Sequence, residues 1–203
     1  MAILSQALHN NDMRQSRRGA ALIVPPLLLG GRVMPGVRSP RQARVKSMKN
    51  LSDTVADGFI NYYGDFARRV KSLAEKLSEE QFWEKPYPYG YSFGNLVLHI
   101  TGNLNYYIGA QLANTGYIRE RELEFAENHS EHKDEVLKEL DKALVIVTDT
   151  LKAQTDLTWG AEYTARGADD VNDRFSIYLR CAVHFHHHIG QMIYLVRELS
   201  DEA

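Results

Sequence analysis

The chain has 203 residues, of which 44% are hydrophobic and 25% are charged, with a formal net charge of −2. This composition fits one globular domain, and no stretch approaches the roughly 20 apolar residues of a membrane-spanning helix. Cys181 is the only cysteine, which excludes an internal disulfide and is compatible with a reducing compartment. We therefore predict a cytoplasmic protein without a membrane partner.

Residues 1–47 differ sharply from the rest of the chain. They carry eight arginines and lysines against one acidic residue, Asp12, whereas residues 48–203 have a net charge of −9. The segment lacks a helical or strand period, so we interpret it as a disordered extension or a non-native leader upstream of Met48. A targeting or export signal is the alternative, because the Ser-Arg-Arg sequence at residues 16–18 precedes an apolar run. The acidic remainder excludes nucleic acid as a partner, since phosphate affinity comes mainly from Lys and Arg.

Four segments of residues 48–203 place apolar side chains at spacings of three and four, the pattern of amphipathic helices. The first starts at Leu51 with Ser52 or Asp53 as its cap, and the second starts after Ser92. The predicted helices cover residues 51–77, 92–113, 131–153 and 174–199, with a short capped turn at residues 78–81. Since no strand pattern separates them, we predict an all-α fold, a four-helix bundle.

The apolar stripes predict which helix faces are buried. In the second helix the stripe runs through Leu104 and Tyr107 to Gln111. The fourth helix is apolar on two faces, one through Phe175 and Leu179 and another through Ile177, Cys181 and Leu195. One face is expected in the bundle core, and the other is available to a partner chain, which is compatible with a homodimer.

Histidines in two of the predicted helices are candidate metal ligands. His184 and His188 are separated by about 40° around the fourth helix, so both imidazoles can point at one ion. A third ligand should come from another helix, and His99 is the one histidine inside the second helix. Three histidines leave an open position for water or substrate, as in catalytic sites. The alternative is that His99 is a hydrogen-bonded core residue and the fourth-helix histidines form a solvated cluster.

Other polar residues near these histidines have less specific predicted roles. Asn95, Asn103 and Tyr106 lie within about two turns of His99 on its own face, and we predict that they line a ligand pocket. Cys181 shares the face of His184 and is interpreted as a buried hydrophobe, with metal ligation or reactivity as the alternative. The spacing of His129 and His132 resembles that of metal ligands, but both are assigned to polar surface.

Two motifs together resemble the DinB/YfiT-like superfamily. They are SFGNLVLH, which ends at His99, and HFHHHIGQ, which runs from His184 to Gln191. The resemblance covers residues 48–199 and implies a four-helix bundle in which His99, His184 and His188 bind nickel or zinc. Many members carry an acidic residue directly after the first histidine of the second motif. Here that residue is Phe185, so the resemblance supplies no acid or base at this position.

The resemblance also implies a class of reaction. Some relatives are thiol-dependent S-transferases or isomerases, so we predict that the metal activates a low-molecular-weight thiol for attack on a small electrophilic substrate. Two alternatives stay open: a hydrolase whose metal activates water, and a non-catalytic metal- or ligand-binding bundle. Dependence of turnover on an added thiol separates thiol transfer from hydrolysis. Loss of activity with a retained fold in His188→Ala would argue against a non-catalytic binding protein.

Overall fold

The computed structural model describes residues 49–126 and 131–200. These residues belong to one compact unit, Lys46–Ala203. Within these ranges the chain is helical, with no β-strand and one isolated bridge between Glu162 and Asp173. No helix in them is both long and apolar enough to cross a membrane. The predicted all-α fold is confirmed, whereas the predicted basic extension, residues 1–47, lies outside the described residues.

The described ranges contain four long α-helices and one short α-helix. They are α1 (Leu51–Ala74), α2 (Glu79–Trp83), α3 (Phe93–Leu104), α4 (Lys133–Lys152) and α5 (Arg174–Leu199). The bounds of α5 agree with the sequence prediction, and so does the cap of α3, where the Ser92 hydroxyl accepts a hydrogen bond from the backbone N–H of Asn95. The cap of α1 was predicted wrongly. Asn50 occupies that position and accepts from the backbone N–H of Asp53 at 2.7 Å, because it precedes the first helical residue.

The long helices form a closed bundle in which each packs against two others. α1 contacts α4 and α5, and α3 contacts the same two helices. One fully buried residue from each helix illustrates the shared core: Val70, Ile100, Leu140 and Ile177. Burial of such a side chain stabilises the fold by about 1.5–3 kcal/mol. The arrangement places α3 beside α5, which brings the two histidine-bearing helices together.

A π-helical segment, Asn105–Ala110, continues α3. The backbone N–H of Ala113 donates to the carbonyl of Ile108, five residues back, at 3.1 Å. The wider turns shift the register, so Ile108 is fully buried while Gln111, which the uninterrupted stripe placed in the core, is exposed. π-Helical turns are rare in proteins, and those that do occur are often found at functional sites. The C-terminal end of α3 is therefore a candidate location for a functional site.

The connection between α3 and α4 is folded against α3. It contains a 3₁₀ turn, Arg121–Phe125. The buried Asn95 amide donates to the carbonyls of Glu124 and Ala126, at 3.1 and 3.3 Å, and so fixes the turn to the first turn of α3. Residues 127–130, with His129, lie outside the described residues. His132 is the exposed N-cap of α4, in line with its assignment to polar surface.

Candidate metal centre

Three histidine side chains from two adjacent helices converge between α3 and α5. Nε2 of His184 lies 3.1 Å from Nε2 of His99 and 3.1 Å from Nε2 of His188. One nitrogen from each of the three residues lies within 4.8 Å of the others. His99 is 7% exposed, and the two α5 histidines, one turn apart, are partly buried. The three residues that the sequence singled out are therefore close enough to hold one metal ion.

The spacing of the nitrogen atoms suits a first-row transition metal. Two nitrogens that share an ion at about 2.0–2.1 Å stand about 2.9 Å apart at a right angle and about 3.4 Å apart at the tetrahedral angle. Both observed contacts of 3.1 Å lie between these values. An all-imidazole set of this kind is typical of zinc, nickel, copper and iron rather than magnesium or calcium.

Outward hydrogen bonds fix the tautomers of two of the histidines. Nδ1 of His99 lies 2.8 Å from Oε2 of Glu124, and Nδ1 of His188 lies 2.6 Å from Oε1 of Gln191. A carboxylate or amide oxygen can only accept, so each Nδ1 carries the proton and donates it. The lone pair of each ring is then on Nε2, which faces His184. Metal-binding histidines are usually oriented by such outer partners.

The His184 imidazole cannot satisfy both of its histidine neighbours by itself. Its Nε2 faces the Nε2 lone pairs of His99 and His188 at the same distance. A single N–H on His184 can point at one of these lone pairs, which leaves two lone pairs facing each other across the second contact. A cation among the three nitrogens removes this repulsion. The donor set therefore fits a metal ion better than it fits a network of neutral histidines.

A largely buried ion pair lies behind His99. Arg119 donates from Nε to Oε1 of Glu124 at 2.6 Å and from Nη2 to Oε2 at 2.8 Å. The side chains of Arg119 and Glu124 are only 11% and 7% exposed. Burial alone would raise the pKa of the Glu124 carboxyl, but hydrogen bonds from His99 and Arg119 outweigh it, and that pKa lies below its usual value. Glu124 is therefore a carboxylate that orients His99.

The lowered pKa values of the two α5 histidines keep their rings in the neutral form that binds a metal ion. Burial lowers the pKa of His184 to about 3, and the neighbouring His188, His99, Arg119 and Arg180 act in the same direction. Burial also lowers the pKa of His188 to about 4, opposed by the hydrogen bond to Gln191. Both rings are consequently neutral near pH 7, and a neutral imidazole is what binds a metal.

The three residues predicted to line one ligand pocket lie in three separate environments. Asn95 is buried in the cap of α3, where its amide anchors the 3₁₀ turn. Asn103 is 5% exposed, and its Oδ1 accepts no hydrogen bond from any described residue. Tyr106 lines a cavity of about 700 Å³ beside the 3₁₀ turn. The ligand-contact role of these three residues stays a prediction.

Two residues on α5 near the histidines belong to the core. Phe185 is fully buried, and its ring packs on Phe66 with 5.4 Å between ring centroids. An acidic side chain at this position would face the core, so the carboxylate near the histidines comes instead from Glu124 on the 3₁₀ turn. Cys181 is 1% exposed, and burial raises the pKa of its thiol to about 12. The interpretation of Cys181 as a buried hydrophobe is confirmed.

Comparison with known proteins places the domain in a family. A family model described as a protein of unknown function (DUF1572) matches residues 46–203. The match covers the whole helical bundle, including all three histidines and Glu124. No curated protein matches the chain. The chain belongs to the DUF1572 family.

Proposed function

We propose that this DUF1572 protein, a DinB-like bundle, binds one divalent transition-metal ion through Nε2 of His99, His184 and His188. The observation that carries the proposal is the paired contact at His184, whose Nε2 faces two other Nε2 atoms at 3.1 Å. Glu124 and Gln191 hold the outer nitrogens of the other two rings, so the donor atoms are oriented before any ion arrives. Nickel and zinc are the ions of first choice, since imidazole ligands suit both and the resemblance to the DinB/YfiT-like superfamily implies these two.

Metal content tests this proposal directly. The full chain, purified without a tag, is expected to hold about one nickel or zinc ion per molecule by mass spectrometry. His99→Ala and His188→Ala should each lower metal affinity at least about tenfold, as expected when one of three ligands is lost. His186→Ala is the matched control, since His186 is exposed on the same helix and its ring contacts Phe66.

The result that contradicts metal binding is equally specific. A wild-type chain that takes up neither nickel nor zinc after treatment with a chelator and reloading would exclude the site. So would a His186→Ala variant that loses as much metal as His188→Ala while both remain helical. Circular dichroism of each variant separates loss of a ligand from loss of the fold.

For the reaction, we propose activation of a low-molecular-weight thiol. A divalent ion held by three neutral imidazoles keeps its full charge and ionises a coordinated thiol near neutral pH. Activation of water is helped by a free carboxylate base, but Glu124 is occupied by Arg119 and His99. A thiol needs no such base, because its ordinary pKa of about 8.5 is already close to neutrality. This difference favours thiol transfer over hydrolysis.

Thiol transfer is tested with an activated aryl chloride as the electrophile. In the expected reaction a carbon–sulfur bond forms, chloride leaves with the bonding electron pair, and the thiol proton goes to solvent. Turnover should depend on the concentration of the added thiol and should disappear in His188→Ala. Metal-dependent hydrolysis of an ester without added thiol would contradict this choice and support the hydrolase instead.

A further inference from the structure

A second candidate site is linked to His99 through Arg119. It is a cavity of about 700 Å³ whose lining includes three arginines and three tyrosines: Arg119, Arg121, Arg166, Tyr106, Tyr107 and Tyr117. Cavities that hold small organic ligands have volumes of about 300–1,000 Å³. The lining mixes aromatic surface with cationic groups from two separate connections, one before α4 and one before α5. Its size and composition suit a small organic molecule.

The charge of the cavity is opposite to that of the domain. Residues 48–203 have a net charge of −9, yet the three guanidinium groups share the cavity with one acidic residue, Glu122. Arg119 is neutralised by Glu124. Arg121 stacks on the Phe125 ring, 5.0 Å from its centroid. Among the described residues Arg166 has no ion-pair or hydrogen-bond partner. Within the described part of the chain, Arg121 and Arg166 are therefore left without a carboxylate partner.

The backbone around the cavity is built to bring these groups together. Tyr106 and Tyr107 belong to the π-helical segment, and the Tyr107 hydroxyl donates to the carbonyl of Gly167 at 2.9 Å. Gly167 has a φ of +79°, and a Cβ there would stand 3.1 Å from that hydroxyl oxygen. A side chain at this position would be strained and crowded. The glycine lets the connection approach Tyr107, which places Arg166 at the cavity.

The cavity is linked to the three histidines by Arg119. This arginine lines the cavity, and its Nη2 lies 3.3 Å from Nδ1 of His99. We propose that the cavity binds the carboxylate or phosphate group of a small organic substrate beside the metal centre. Guanidinium groups match both anions in geometry and charge. The role in catalysis rests on the function proposed above, whereas anion binding itself does not.

Calorimetric titration of the full chain, before and after loading with zinc, tests this site. The probes are phenylacetate and phenyl phosphate, with 2-phenylethanol as the uncharged analogue. Both anions are expected to bind, with weaker binding at high salt, and the alcohol is not. Arg121→Ala and Arg166→Ala should each weaken anion binding about tenfold, the loss expected for one charge-assisted contact. The tighter anion identifies which group the site prefers.

Arg197→Ala is the matched control, because Arg197 also stands over a tyrosine ring, that of Tyr194 on α5, away from the cavity. It should bind the anions like wild type. Equal binding of the alcohol and the anions, or unchanged anion binding in both Arg121→Ala and Arg166→Ala, would overturn the proposal. Metal content is measured on the same samples. If the chain binds the anions but takes up no metal, the proposed function is refuted and the anion site is supported. If it takes up metal but binds no anion, the anion site is refuted and the metal centre is supported.

Discussion

Oε2 of Glu124 lies 2.8 Å from Nδ1 of His99, although the two residues are 25 positions apart in the chain. The carboxylate is held in turn by two hydrogen bonds from Arg119. His99 is therefore oriented by a buried carboxylate, and His188 by the uncharged amide of Gln191. A carboxylate accepts a stronger hydrogen bond from an imidazole N–H than an amide oxygen does, so the His99 ring should be held in place more firmly than the His188 ring.

Glu124→Ala should weaken both metal binding and the fold. Loss of an outer-shell partner typically lowers metal affinity about 10–100-fold. The Arg119 side chain, which is only 11% exposed, would also lose its counter-ion, which costs about 3 kcal/mol of the free energy of unfolding. Competition with a chelator measures the first effect and urea unfolding of the metal-free protein the second.

Glu124→Gln separates these two effects. The amide oxygen can still accept the hydrogen bond from His99, so metal affinity should fall less than in Glu124→Ala. Glu122→Ala is the control for both variants, since Glu122 is exposed in the same 3₁₀ turn. Metal affinity in Glu124→Ala equal to that of the control would show that the carboxylate does not orient His99.

Gln191→Leu should lower metal affinity about tenfold, because the Nδ1–H of His188 loses its acceptor and the ring is free to rotate. Gln191→Glu keeps an acceptor at the same place and adds a charge, so its affinity should equal or exceed that of wild type. Titration of the metal-free protein with zinc against a chelating dye measures both. Equal losses in the two variants would mean that the contact to His188 is incidental.

The sequence was sufficient to predict the histidines but not their surroundings. His184 and His188 lie one turn apart on a strongly periodic helix, so local geometry alone brings them together. Glu124 lies in a polar connection without periodicity, and its contact with His99 depends on how that connection folds back on α3. The one feature of the sequence that could have pointed to Glu124 was an acid-rich stretch that also contains Arg119. Contacts of this kind are set by tertiary structure, which a helical pattern does not encode.

The π-helical segment was missed for a related reason. Its apolar spacing looks like that of a regular α-helix up to Gln111, and the extra residue per turn becomes visible only in the backbone hydrogen bonds. The stripe therefore placed Gln111 in the core, whereas the shifted register buries Ile108. The bundle was predictable because the spacing of many apolar residues independently indicates the same four helices. A local change of register alters the burial of only a few of these residues.

The metal-free protein should lose stability as the pH falls from about 6.5 towards 4. The pKa values of His184 and His188 are lowered to about 3 and about 4, so the unfolded chain binds protons more readily than the folded one in this range. Their contribution is fully present above the unfolded pKa of about 6.5 and disappears as the pH falls towards the folded values. Glu124, whose pKa is also lowered, adds a loss of the same sign at the acidic end.

Urea unfolding at several pH values between about 7.5 and 4.5 measures this slope. His184→Gln should flatten it, because the titrating group is removed. His186→Gln should not, since His186 is exposed and faces away from the site. A slope that is the same in both variants would show that His184 does not carry the pH dependence.

Gly102→Ala should reverse the usual effect of replacing a helical glycine. In a helix, alanine is favoured over glycine by about 1 kcal/mol. At Gly102, however, a Cβ would overlap the Glu124 carboxylate and stand 2.9 Å from its Cδ. Because hydrogen bonds to Arg119 and His99 hold that carboxylate in place, we expect Gly102→Ala to displace it, with a loss of stability and of metal affinity. Gly58→Ala is the matched control, since a Cβ at Gly58 in α1 would meet no atom within 4 Å. That variant should be more stable than wild type by up to about 1 kcal/mol, with unchanged metal affinity. If Gly102→Ala instead behaved like Gly58→Ala, the carboxylate would have room to move, and its position beside His99 would not be fixed by the fold.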